Sequence, residues 1–95
     1  MHIARVVGTT ISTIKDEKVR GQKLLLVRQT DQSGKVLGEP YAAVDLVDAG
    51  ENDLVLVTSG SAARQTYLTK DCPVDSVVMA VLDSLEVDGR EVFRK

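Results

Sequence analysis

The chain has 95 residues, of which 43% are hydrophobic and 27% charged, with 12 Lys and Arg against 14 Asp and Glu. That length fits a single domain, 1–95, and the composition is that of a globular chain rather than a disordered one. A formal net charge of −2 with interspersed signs gives no global pull towards phosphate backbones or anionic lipid.

The apolar runs are short, β-branched and bounded by turn residues, which is the pattern of strands. Residues 3–14 read as one long strand bent at Gly8, where the missing side chain permits a bulge. Residues 15–21 are a charged loop. Residues 23–29 carry Leu24, Leu25, Leu26 and Val27, a nearly continuous run suited to burial on both faces. Residues 30–35 contain the Asp31 and Gly34 of a hairpin turn. Residues 41–47 make a third strand, 48–53 a polar turn and 54–58 a fourth strand.

Ser59-Gly60-Ser61 breaks the β pattern, and residues 62–68 read as a turn or two of helix with Ser61 as N-cap. Residues 77–87 make the longest late strand, with Val77, Met79 and Val81 sharing a face opposite Val78, Ala80 and Leu82. Asp88-Gly89 is a two-residue hairpin signal that returns the chain through Arg90 to Phe93. Five or six strands with one short helix predict an all-β fold, a small five-stranded OB-like barrel. A β-sandwich stays open as the alternative.

Chemistry-bearing residues are sparse. His2 is the only histidine and Cys72 the only cysteine, so no intrachain disulfide can form, and the pair cannot make a standard zinc site. Ser61 lacks the second glycine of a nucleophile elbow, because Ala63 stands in its place. Gly60 permits either a tight turn or a nest of outward N–H groups that would suit an anion. Residues 48–53 lack calcium-loop spacing and read as solvated charge. Asp83 interrupts an apolar strand and, if buried, needs a structural partner. No cofactor is expected. Residues 1–7 are too short and interrupted for a signal peptide, and no apolar run approaches the ~20 residues that cross a bilayer. The expected location is the cytoplasm, with no membrane partner.

Ser59-Gly60-Ser61-Ala62-Ala63-Arg64, then Pro73-Val74-Asp75, then a strand ending Val81-Leu82-Asp83, make a specific combination. Together with Ala43-Val44-Asp45, Ala49-Gly50 and Gly8 in the opening strand, it resembles the vertex proteins of bacterial microcompartment shells, the EutN/CcmL family. The resemblance spans essentially the whole chain. Asp48 and Asn52 stand where the family commonly has glycine, and Asp53 where it has Glu.

The resemblance implies a non-enzymatic shell protein whose OB-like barrel assembles as a cyclic pentamer. That ring caps the five-fold vertices of a carboxysome or metabolosome shell and meets hexameric shell proteins there. It places Ser59, Gly60 and Ser61 in the loop nearest the axial pore and Arg64, Pro73 and Asp75 at the subunit contact. It gives Asp45, Gly50 and Asp83 structural loop roles. The rival readings are an OB-type nucleic-acid binder, a small hydrolase using Ser61, and a pentameric scaffold outside any shell. The first normally needs a basic groove and stacking aromatics, whereas Tyr41, Tyr67 and Phe93 are the only aromatics and lie scattered along this chain.

Overall fold

The computed structural model describes residues 1–10, 23–60 and 75–95. Seven strands occur among them: β1 (His2–Thr9), β2 (Lys23–Gln29), β3 (Tyr41–Asp45), β4 (Leu54–Ser59), β5 (Ser76–Val81), β6 (Ser84–Val87) and β7 (Arg90–Arg94). The expected far end of the first strand, the charged loop at 15–21 and the short helix at 62–68 lie outside the described residues.

Five strands close a barrel in the order β1-β2-β3-β5-β4. Antiparallel pairing of His2 to Arg5 with Val57 to Leu54 joins the last strand to the first. The β3–β5 pair is parallel, with Val44 opposite Val77 and Asp45 opposite Val78. Closure removes the edges that a sandwich would leave open, and the sandwich alternative is thereby excluded.

The interior is filled by Ala4 and Val6 of β1, Leu25 and Val27 of β2, Ala43 of β3, Val55 and Val57 of β4, and Val78 of β5. Ala49 adds to them from the loop after β3. These side chains are at most 2% exposed. A five-stranded barrel is narrow, so Val, Leu and Ala fill it without aromatic rings. Alternation sends Val44 and Val77 to the opposite face, where Leu24, Leu46 and Met79 pack beside them in a second cluster.

Four sequence expectations need correction. β2 is not buried on both faces: Leu25 and Val27 point inward, while Leu24 and Leu26 are half-exposed. β3 ends at Asp45 rather than continuing to Val47. The irregularity of β1 lies at Val7, the residue skipped between the Val6–Val27 and Gly8–Leu26 pairs.

The late strand is two strands. Leu82 donates its N–H to the Leu54 carbonyl at 2.8 Å, and beyond it β6 and β7 form a separate two-stranded sheet. Within β5, Ala80 pairs with Leu56 and Val78 with Val57, which leaves Met79 as a bulge. The extra residue reverses the alternation, so Val81 packs with the interior cluster of Val78 and not beside Val77 and Met79.

Candidate functional site

One end of the barrel is organised by Asp45. Its side chain is fully enclosed, yet its oxygens are occupied. Oδ1 accepts the Val47 N–H and Oδ2 the Ala49 N–H, both at 3.0 Å. Lys23 Nζ stands 3.6 Å from Oδ2 and also donates to the Ala49 carbonyl at 3.2 Å. The second of these bonds holds Ala49 where its methyl group enters the barrel core. Hydrogen bonds to both oxygens offset what enclosure of a carboxylate costs. Lys23 reaches Asp48 Oδ1 at 3.2 Å, and this hydrogen bond, then the charges of Asp48 and Asp45, hold its ammonium above the usual lysine range.

The loop then turns through two non-glycine residues in the left-handed region, Asp48 (φ 57°) and Asn52 (φ 71°). Gly50 donates its N–H to Asp53 Oδ2 at 2.8 Å, and Asp53 returns its own N–H to the Gly50 carbonyl at 3.1 Å. Asn52 and Asp53 exchange backbone hydrogen bonds with Val6. Arg5 pins the same region, with Nη1 donating to the Asn52 carbonyl at 3.0 Å and Nη2 to the Gly34 carbonyl at 3.3 Å. Asp31 braces the neighbouring turn through Ser33 and the Lys35 N–H, and these bonds hold its carboxyl below the usual range.

The opposite end of the β4–β5 ladder carries the exposed polar turn. Ser59 pairs with Ser76, and the Gly60 N–H donates to the Asp75 carbonyl at 2.8 Å. Gly60 takes a φ of 63°, which glycine adopts without strain. Its N–H is consumed by that bond and is not part of an outward nest. Ser59, Gly60 and Asp75 are therefore neighbours at one exposed point of the barrel, although 14 residues separate Gly60 from Asp75 in sequence. Ser61, Arg64 and Pro73 lie outside the described residues, as does Cys72.

Asp83 is exposed rather than buried. It sits where the chain leaves the barrel, and its backbone carbonyl accepts the Lys95 N–H at 2.8 Å. His2 hydrogen-bonds through Nε2 to the Tyr41 hydroxyl at the start of β3. Partial burial, with the α-ammonium adding to it, holds the imidazole below its usual range, and burial raises the Tyr41 phenol. Among the described residues, no group of three or more His, Cys, Asp or Glu is placed to hold a metal ion.

The structure also brings in residues to which the sequence gave no site role: Lys23, Arg5, Asp53 and Tyr41. Each acts through a partner between 3 and 47 positions away. Only the Gly50–Asp53 pair is close enough in sequence to leave a local signal.

Comparison with known proteins identifies the scaffold. The family described as ethanolamine utilisation protein EutN/carboxysome matches residues 1–83, which include the whole barrel. The chain belongs to the EutN/CcmL family. The carboxysome shell vertex protein CcmL of Synechococcus elongatus is 40% identical over 95 residues, covering 100% of this chain and 96% of that one. The solved structure of CcmL from Nostoc sp. PCC 7120 superposes with a TM-score of 0.91 at 42% identity over 100% of both chains. The GrpN pentameric microcompartment shell protein of Rhodospirillum rubrum is 34% identical, with a TM-score of 0.81 over 92% of this chain and 99% of its own.

Proposed function

We propose that the chain is a structural vertex subunit of a bacterial microcompartment shell, acting as a homopentamer. The observation that carries this is similarity along the whole chain to a shell vertex protein, on the same closed barrel. A relative that is itself pentameric supports the ring. Its place is the shell of the compartment, in the bacterial cytoplasm.

The role follows from geometry. A sheet of hexagonal tiles is flat and cannot close until pentagons are inserted. A cyclic ring repeats one heterologous contact until it closes, so each subunit needs two complementary surfaces and no reactive pocket. The residues 1–95 act as one domain in this role. Ser59 and Gly60, with Ser61, belong to the loop nearest the axis, and Asp75, with Arg64 and Pro73, to the subunit contact. The hydrogen bond from Gly60 to Asp75 supports linking the two sets, because it makes the axial loop and the contact neighbours. Asp45 and Gly50 keep the loop at the other end in shape. Hexameric shell proteins are the partners at the rim of the ring.

The test is co-expression of a hexameric shell protein with and without this chain, followed by electron microscopy of the particles. Closed polyhedra with the chain and open sheets or tubes without it are expected. Particles that seal equally well in its absence would refute the reading.

A further inference from the structure

β1 and β3 are not neighbours in the barrel, because β2 lies between them. His2 nevertheless reaches Tyr41, with Nε2 bonded to the phenol and the two ring centroids 5.9 Å apart at a tilt of 52°. The register turns both side chains to the interior. His2 lies opposite Val57 and Tyr41 opposite Val27, and residues directly opposite share a face. Val57 lies opposite Val78 in turn. The three valines are 0% exposed, whereas His2 and Tyr41 are half-buried. The two rings are therefore the outermost layer of the interior at one mouth of the barrel, joined by a polar tie that spans the end of β2. β4 continues from Val57 through Ser59 to the Gly60 turn, so that turn rises from the same mouth.

His2 is the only histidine of the chain, and histidine is the side chain whose charge ordinarily changes between about pH 5 and 8. The groups that act on it among the described residues are the α-ammonium beside it on β1 and the Tyr41 phenol on β3. From β2, β4 and β5 the interior residues at this mouth are Val27, Val57 and Val78, none of them ionisable. An imidazolium can only donate, so protonation removes any arrangement in which the Tyr41 O–H donates to Nε2. It also sets a charge over an apolar layer, which costs free energy unless water reaches it.

We infer that the His2–Tyr41 pair is a pH-sensitive latch on this mouth of the barrel, closed when His2 is neutral and loosened when His2 is protonated. Loosening frees the β1–β4 end and with it the base of the Ser59–Gly60 turn. The latch belongs to the single subunit. That it acts on an axial loop rests on the pentameric reading.

The sign of the effect follows from the burial. Burial, then the α-ammonium, holds the folded imidazole below its usual range, so the unfolded chain takes up the proton first. The stability that the layer gives is complete above about pH 6.5 and is lost as pH falls through the lower folded value.

Proton NMR of the full chain from about pH 7.5 to about pH 5.5 tests this, because a lone histidine gives an unambiguous ring signal. The His2 midpoint should lie below that of the same signal in the urea-unfolded chain, and the amides of Tyr41 and residues 57–60 should shift with the same midpoint. A midpoint equal to that of the unfolded chain, or turn amides that do not follow it, overturns the latch. Tyr41→Phe should keep a His2 titration but lose its echo at the amides of residues 41–43; an undiminished echo overturns the role of the phenol. In urea denaturation the wild type should lose more stability over this range than His2→Gln, and equal losses contradict the inference. Native mass spectrometry at about pH 7.5 tests the pentamer separately: a monomer there overturns the ring, while a His2 titration that still reaches residues 57–60 upholds the latch.

Discussion

Asp45 does more for the candidate site than its size suggests. Its two oxygens fix Val47 and Ala49, and Ala49 in turn closes the barrel interior. Asp45→Ala removes both acceptors and leaves two N–H groups without partners, at a cost of about 1–3 kcal/mol. Asp45→Asn keeps one acceptor and should lose less. Chemical denaturation at one fixed protomer concentration measures both, since assembly contributes to apparent stability. An Asp45→Ala protein as stable as the wild type would show that the loop is held by other bonds. Lys23 does not substitute for the carboxylate, because its ammonium can only donate.

At the scale of elements, irregularities decide which face a side chain reaches. Val7 and Met79 are each one residue too many for the ladder, and each reverses the alternation beyond it. Gly8 is beside the first bulge but is not demanded by it. Its φ is not positive, and a Cβ there would meet nothing closer than Leu26 Cδ1 at 3.8 Å. Gly8→Ala should therefore leave stability unchanged or raise it by up to about 1 kcal/mol. Gly34 is different: its φ is 88°, and a Cβ would stand 2.7 Å from Arg5 Nη2. Gly34→Ala should cost about 1–2 kcal/mol. Thermal unfolding of the two variants side by side checks the ranking, and the reverse order would contradict it.

The same elements define what was legible in the sequence. Lys23–Gln29 and the Asp88-Gly89 hairpin were readable because their signals are local: an apolar run between polar residues, and a turn dipeptide. The register of β5 was not readable, since the Met79 bulge is set by pairing with β4, 21 residues earlier at the Val57–Val78 pair and 24 at the Leu56–Ala80 pair. The break at Asp83 had a signal, a charge within an apolar run, but burial and exposure both fit it. Asp48 and Asn52 stand at left-handed positions without the glycine that would mark such a turn in sequence, and short polar side chains adopt that region at small cost. The meeting of Ser59 and Gly60 with Asp75 depends on closing the β4–β5 ladder, which no local pattern encodes.

At the scale of the whole molecule, a barrel of small aliphatic side chains gives a chain of 95 residues a modest core. Contacts between copies add to what such a core supplies, and the polar turn at Gly60 lies on the outside of the barrel. The subunit is therefore one-fifth of the working object. The mass of the purified chain in solution tests this most directly. The account predicts a species near 51.5 kDa, five times the 10.3 kDa chain, persisting at low micromolar concentration. A single species at 10.3 kDa under those conditions would contradict it.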